Sequence, residues 1–291
     1  MKPTAFAYHA PRTAAAAVDL LAELGDGAKI LAGGQSLIPL LALRLAAFDH
    51  LVDIGRIEEL KGVERRDGAL WVGAGTTEAA VGSSPEVAGA VPLLARATPL
   101  IGHFQIRNRG TLGGAIAHAD PVGEYPAVAL ALDASMEVLS PRGRRSIAAP
   151  EFFDGTWSTT MEADELLVGV TFPAWTGRCG FAIEELARRA GDFAIAGALV
   201  CVEIDGDDRV ARCSIGLIGL GPTPVRAAGA EQGVVGSAVT DVVPEDLGRL
   251  AMCGLDAVPS DLHGSAEYRK RVGTAMVARA WTAAATEAGH E

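Results

Sequence analysis

Aromatic residues are scarce in this 291-residue chain, at 5%, although 49% of its residues are hydrophobic. The core must therefore be built from small aliphatic side chains, which lets backbones pack closely. Cysteine is equally sparse. Cys179, Cys201, Cys213 and Cys253 form no Cys-x-x-Cys pair, and the six histidines form no His-x-x-x-His pair. This spacing argues against a zinc or iron–sulfur centre held by the chain itself. It reads instead as buried, reduced thiols in a cytoplasmic protein. Basic residues are outnumbered, 25 Lys and Arg against 36 Asp and Glu, for a net charge of -11. Nucleic acid is a poor partner for such a surface. Long apolar runs are missing too. Met1 to Thr13 carries Pro3 and Pro11, and Leu37 to Phe48 is broken by Arg44, so neither an export signal nor a membrane insertion is expected. There is no Gly-x-x-x-x-Gly-Lys-Ser/Thr loop, no Gly-x-Ser-x-Gly elbow and no paired nucleophile and base.

What the chain does have is glycine, 35 residues of it, concentrated in two loops. One is Ala32-Gly33-Gly34-Gln35-Ser36, after the apolar Ile30-Leu31. The other is Arg107-Asn108-Arg109-Gly110-Thr111-Leu112-Gly113-Gly114-Ala115, running on to His118-Ala119-Asp120-Pro121. Each joins a double glycine to a hydroxyl residue. Glycine permits positive φ and close backbone approach, and neighbouring N–H groups can converge on an anion. Two such loops suggest a diphosphate held from two sides. On an acidic protein that anion must be bound by local amides and not by overall charge. A tight turn without a ligand is the plainer reading of either loop alone.

The rest of the pattern is mixed α and β. Thr13 caps a helix to Leu24 that Gly25 ends. Ile30-Leu31, a helix from Ser36 towards Ala46, and Leu51 to Ile54 give a small parallel βαβ unit. Ser84-Pro85-Glu86 starts a helical stretch towards Ile101, and Asp120-Pro121 starts another towards Ala129, with Asp120 as its cap. Leu70 to Val72, Met136 to Leu139, Ser146 to Ala148 and Leu166 to Phe172 suggest a mostly antiparallel sheet. After a linker at Pro173 to Gly177 come strands from Ala196 to Asp205 and Arg209 to Leu220, joined by a Gly206-Asp207-Asp208 hairpin. A long helix spans Ala266 to Glu287.

Other residues invite chemistry. Arg107 and Arg109 either balance a diphosphate or pair with surface acids. His118, Asp120 and Glu124 are spaced too loosely on a loop for a metal site. Val72-Gly73-Ala74-Gly75-Thr76-Thr77 opens like a dinucleotide fingerprint, but Glu78 stands where the third glycine belongs. Phe193, in a turn at Arg188 to Ala194, either lies against a planar ring or anchors a core.

Four ordered motifs carry a resemblance: Ala-Gly-Gly-Gln-Ser-Leu at 32–37, Ile-Arg-Asn-Arg-Gly-Thr-Leu-Gly-Gly at 106–114, Ala-His-Ala-Asp-Pro at 117–121 and Arg-Arg-Ala-Gly-Asp-Phe-Ala at 188–194. Over nearly its whole length the chain resembles the FAD-binding medium subunits of molybdenum hydroxylases, the carbon monoxide dehydrogenase type above all. FAD modules of xanthine dehydrogenase are related. The resemblance implies an α+β fold. A FAD-binding domain at 1–174 would comprise two α/β subdomains, and a smaller C-terminal flavoprotein domain would follow at 178–287. It implies non-covalent FAD, its diphosphate clasped by Ala32, Gly33, Gly34, Gln35 and Ser36 and by Thr111, Leu112, Gly113, Gly114 and Ala115. Ile101, Ala117, Asp120 and Leu167 would line the cofactor, and Phe193 would stand near the flavin where relatives often have tyrosine.

The chain departs from the family where Ala115 replaces a common asparagine, where Phe193 lacks a hydroxyl, and where Glu184 replaces a lysine found in some relatives. The implied function is electron transfer. A large molybdopterin subunit oxidises substrate, a small subunit with 2Fe–2S clusters relays electrons, and this chain passes them from its flavin to an external acceptor. The assembly would be a dimer of heterotrimers, and this chain needs no catalytic residue of its own. The alternatives are a stand-alone FAD oxidoreductase using His118, Glu124 or Tyr125 as acid or base, a flavin-free structural subunit, and a general nucleotide-binding module.

Overall fold

The structure, a computed structural model, describes residues 2–290. Fourteen strands lie among these residues: β1 Ala7–His9, β2 Ala28–Leu31, β3 His50–Asp53, β4 Val63–Arg66, β5 Ala69–Gly73, β6 Ser135–Ser140, β7 Gly143–Ala148, β8 Phe153–Gly155, β9 Ser158–Thr159, β10 Leu166–Pro173, β11 Arg178–Leu186, β12 Ala196–Ile204, β13 Val210–Ile218 and β14 Val225–Arg226. They form three main sheets and one two-stranded ribbon, β8–β9.

The first sheet is parallel, in the order β1-β3-β2. The helix Ala14–Leu24 packs on it. Thr13 Oγ1 accepts the Ala16 N–H at 3.2 Å, and Gly25 ends the helix at φ +57°. Its buried positions, Ala14, Ala17, Val18 and Leu21, recur every three to four residues, the spacing of one helical face. The βαβ expectation holds, and β1 adds a third strand that a three-residue apolar signal was too short to announce. The helix after the first loop stops at Ala42, not Ala46, because Arg44 takes a left-handed turn at φ +58°.

The second sheet is antiparallel throughout, ordered β4-β5-β10-β6-β7. The helix Leu112–His118 packs on it against β5 and β10, while the helix Glu124–Ala131 packs against β12, β13 and β14. The stretch from Ser84 towards Ile101 breaks into Pro85–Ala90, Pro92–Ala97 and a 3-10 turn at Thr98–Leu100, because Pro92 and Pro99 cannot donate to the turn before them. One cap is corrected. The helix after Pro121 begins at Glu124 and is entered from Gly123. Asp120 Oδ1 instead accepts the Val122 N–H at 3.0 Å, closing a local turn.

The third sheet, β11-β12-β13-β14, is antiparallel and lies under the long helix Ala266–His290. That helix buries Val272, Met276, Ala280, Trp281, Ala284 and Ala288. Four residues, Ala174 to Gly177, connect β10 to β11. An ion pair spans this seam: Arg96 donates to both Glu287 oxygens at 2.6 and 2.5 Å and to the Phe181 carbonyl, while Glu287 accepts the Phe181 N–H. Cys179, Cys201 and Cys213 are buried as expected. Cys253 is exposed, contrary to expectation, because it follows the end of the helix Pro244–Ala251.

Candidate cofactor site

The first loop leaves the carboxyl end of β2 and enters the helix Leu37–Ala42. Gly34 takes φ +75°, which turns the chain back on itself. Among the described residues, the N–H groups of Gly33, Gly34, Gln35 and Ser36 donate to no acceptor of the protein. Ser36 occupies the cap position of the helix without a side-chain capping bond. Gln35 folds back, Nε2 donating to the Gly33 carbonyl at 3.0 Å. Four unpaired amides in succession on a partly exposed loop form a donor array that calls for an anionic partner.

The second loop lies directly against the first. A Cβ on Gly33 would collide with the Arg109 carbonyl and come within 2.7 Å of Gly110 Cα. A Cβ on Gly114 would face Ala32 Cβ at 3.3 Å and Thr111 Oγ1 at 2.8 Å. The two loops expected to act together are therefore in contact, but they contribute differently. In the second, the amides are spent internally: Leu112 on Thr76 O at 3.0 Å, Gly113 on Ala74 O at 2.9 Å, Gly114 on Thr111 Oγ1 at 3.1 Å and Ala115 on Thr111 O at 3.0 Å. Thr111 is thus the helix cap, and the loop is a rigid wall made thin by glycine. Leu112 and Gly113 face inward, and Leu167 on β10 is buried in the same core cluster as Leu112 and Ile116, behind that wall.

Sequence reasoning missed what supports the wall. Gly73-Ala74-Gly75, set aside for its missing third glycine, packs beneath it: a Cβ on Gly113 would fall 2.6 Å from Ala74 Cα. The spacing Gly73-x-Gly75 was the available signal, but it marks a close backbone crossing and not a phosphate loop. Arg107 is neither solvated nor aimed at an anion. It donates to the carbonyls of Ile101 at 2.7 Å and Gly102 at 2.9 Å, which fixes that turn. The exposed Arg109 guanidinium has no hydrogen bond.

Ile101 and the turn bearing Phe193 come together from the two halves of the chain. A Cβ on Gly191 would fall 2.5 Å from His103 Cε1 and 3.1 Å from Gly102 O. Phe193 itself is 74% exposed, so it is a free ring face and not a core anchor. The buried Arg269 donates to the Ile195 carbonyl and grips Asp261 at 2.8 and 2.7 Å, pinning the end of this turn to the long helix. Ala117 is exposed one turn along from Gly114. Asp120 Oδ2 accepts Trp157 Nε1 at 3.3 Å, and Trp157 stacks on His118 with 6.3 Å between ring centroids. Burial holds the His118 imidazole below its usual pKa, against the pull of Asp120. Tyr125, another acid–base candidate, is fully buried and bonded to Thr98 Oγ1 at 2.9 Å.

Three carboxyl groups gather at this seam. Glu78 and Glu185 are each pushed up to about 7 by burial, Arg107 opposing the shift at Glu78. Glu124 is pushed up to about 8 by burial, then by the charges of Glu185, Glu78 and Asp120. Each folded value lies above the ordinary 4.5, so folding takes up protons between that value and about 7 or 8. The stability these groups allow is complete below the ordinary value and is lost as pH rises through 7 to 8. Urea unfolding of the FAD-free chain is expected to show falling stability from pH 5 to 8. Glu124→Gln should flatten that fall by an amount on the order of 2 kcal/mol; an unchanged profile would contradict the assignment.

A donor loop, a glycine wall and a projecting aromatic on the facing domain define a two-domain, dinucleotide-binding α+β protein. The family described as the FAD binding domain in molybdopterin dehydrogenase matches residues 4–175, and the CO dehydrogenase flavoprotein C-terminal domain matches residues 181–284. The chain belongs to the FAD-binding medium subunits of molybdenum hydroxylases. It is 40% identical to the carbon monoxide dehydrogenase medium chain of Hydrogenophaga pseudoflava, over 98% of both chains. It is 38% identical to caffeine dehydrogenase subunit beta of a Pseudomonas species, over all of this chain and 98% of that one. A solved structure of carbon monoxide dehydrogenase from H. pseudoflava superposes with a TM-score of 0.95 at 41% identity, covering 99% of each chain. Quinoline 2-oxidoreductase from Pseudomonas putida 86 superposes at 0.93 with 36% identity, again over 99% of each.

Proposed function

We propose that this chain is the flavin-bearing electron-transfer subunit of a cytoplasmic molybdenum hydroxylase, assembled as a dimer of heterotrimers. Its partners are a large molybdopterin subunit and a small subunit with 2Fe–2S clusters. The division falls at the short connection, with the FAD-binding domain at 1–174 and the flavoprotein domain at 178–287. The unpaired amides of Gly33 to Ser36, set against the second glycine loop, carry this reading.

In it, Ala32 to Ser36 donate to the FAD diphosphate, and Thr111 to Ala115 form the thin wall that lets the cofactor lie close. Ile101, Ala117, Asp120, Leu167 and Phe193 frame the rest, Leu167 by supporting the wall from behind. Bound FAD would supply the chemistry of accepting electrons singly from iron–sulfur centres and delivering them to an external acceptor. The protein's share is position and electrostatics. Similar folds serve complexes named for carbon monoxide and for quinoline, so substrate choice is assigned to the large subunit.

The test is purification of the native complex, with its subunits, metals and flavin identified. FAD together with molybdenum and iron supports the reading, whereas a colourless complex that refuses added FAD sinks it. Within the site, Ser36→Ala is expected to weaken FAD binding by about 1 kcal/mol, the scale of one hydrogen bond, measured by flavin fluorescence titration.

A further inference from the structure

Glu78 stands in the place of the missing third glycine, in the first turn of the helix Glu78–Ser83. Thr77 Oγ1 caps that helix by accepting the Ala80 N–H at 3.2 Å. An acidic side chain in a first turn ordinarily faces water beside the positive end of its helix. Glu78 is instead 4% exposed. Its backbone is held from two directions. Thr76 Oγ1 accepts the Gly62 N–H at 2.9 Å and donates to the Gly62 carbonyl at 3.1 Å. The Glu78 N–H donates to the Gly110 carbonyl at 2.9 Å, and the Leu112 N–H donates to the Thr76 carbonyl at 3.0 Å. These bonds tie residues 76–78 to residues 110–112, the entrance of the second glycine loop.

The side chain ends on Gly110. A Cβ there would lie 2.5 Å from Glu78 Oε1 and 2.7 Å from both Cδ and Oε2. The space that any other residue at 110 would need is filled by the Glu78 carboxyl. Gly110 is also where the first loop touches the second, since a Cβ on Gly33 would come within 2.7 Å of Gly110 Cα. A continuous line of contact therefore runs from the Glu78 carboxyl, through the Gly110 backbone, to the first member of the donor array. Glu78 Oε2 is buried with no hydrogen-bond partner among the described residues. Such a group costs stability, so stability alone does not account for a glutamate here.

We propose that Glu78 is a positioning residue for the cofactor: its carboxyl backs Gly110 and holds the glycine wall at the separation from Gly33 at which the first loop's amides converge on one diphosphate. This deepens the FAD reading above and rests on it. Glu78 acts through Gly110 and needs no contact with the cofactor. Residues 78 and 110 then form a matched pair, one large and one small. Truncating the first should let the wall recede, enlarging the second should push it outward, and doing both should cancel in part. Burial pushes the Glu78 carboxyl up to about 7, so at pH 6 glutamine reproduces both its shape and its neutral state.

The experiment is titration of FAD into the FAD-stripped native complex at pH 6, followed by flavin fluorescence, with melting temperatures measured alongside. E78A is expected to weaken binding about tenfold, the scale of a buried truncation whose space is partly refilled. E78Q, which conserves volume, should bind within about twofold of the wild type. G110A should lose roughly 30-fold, because its methyl meets a carboxyl that is itself packed in place. In G110A/E78A the methyl enters the space the carboxyl left, so the losses should not multiply and binding should stand within about tenfold of the wild type. E78D, one methylene shorter, takes the place of E78A if that variant does not assemble, and should also bind more weakly. Wild-type affinity in E78A or E78D overturns the inference. So does an E78Q loss as large as that of E78A, or a fully multiplicative loss in the double variant. Failure of the stripped wild-type complex to take up FAD would instead overturn the flavin reading itself.

Discussion

Gly33→Ala is expected to yield a folded but colourless protein. A single methyl at this position runs into the Arg109 carbonyl and the Gly110 Cα, both backbone atoms of the opposing loop. Neither can swing aside as a side chain would. Either the loops separate, spreading the donor array, or the Gly33 amide rotates away from its neighbours. Overpacking against a rigid backbone costs about 3 kcal/mol, and lost at the binding site this is a weakening of more than about 100-fold in FAD affinity. Gly114→Ala should be milder, because its nearest neighbours are the Thr111 hydroxyl and the Ala32 methyl. Flavin content by absorbance, alongside circular dichroism to show an intact fold, separates the outcomes. A Gly33→Ala protein carrying one FAD per chain would remove the diphosphate assignment from these loops.

Gly180→Ala is expected to have the largest effect on stability. Gly180 sits on β11 against the long C-terminal helix, where an added Cβ would strike the Ala284 carbonyl and lie 2.7 Å from Ala284 C. The helix can relieve the contact only by moving off the sheet. That motion would open the apolar layer of Val277, Ala280, Trp281 and Ala284 and loosen the Glu287–Arg96 pair that bridges the seam. A loss of about 3 kcal/mol follows from the overpacking alone, and thermal unfolding should move down by several degrees. Because Glu287 also accepts the Phe181 N–H, the damage should reach the junction between the two halves. A melting temperature within experimental error of the wild type would show that the helix is less tightly seated than its packing indicates.

Much of the fold was legible before any coordinates. Thr13 and Gly25 bound their helix, Ser84-Pro85 opened another, and Gly206 to Asp208 turned a hairpin, because caps and turns are decided by residues close in sequence. Errors arose where a local signal had a competitor. Asp120-Pro121 looked like a helix start, but the Asp120 side chain closed a turn on Val122 and Gly123 became the entry. The apolar run after Ser36 suggested a longer helix until Arg44 broke it at positive φ. Gly73-x-Gly75 was dismissed as a failed fingerprint, although its glycines let the chain pass close to the Leu60 backbone while Ala74 between them meets Gly113, far along the sequence.

The sequence by itself determined that two glycine loops exist, that the chain is mixed α and β, and that it resembles one family of FAD subunits. Short-range chemistry and ordered motifs suffice for that. Only the tertiary structure decided that the loops touch, and that the first has free amides while the second has spent its own. It alone placed Arg107 on the Ile101 turn and set the Glu78 carboxyl against Gly110. Those facts depend on which distant backbones cross and how deeply each side chain is buried, and such long-range terms leave no mark in a local stretch of residues.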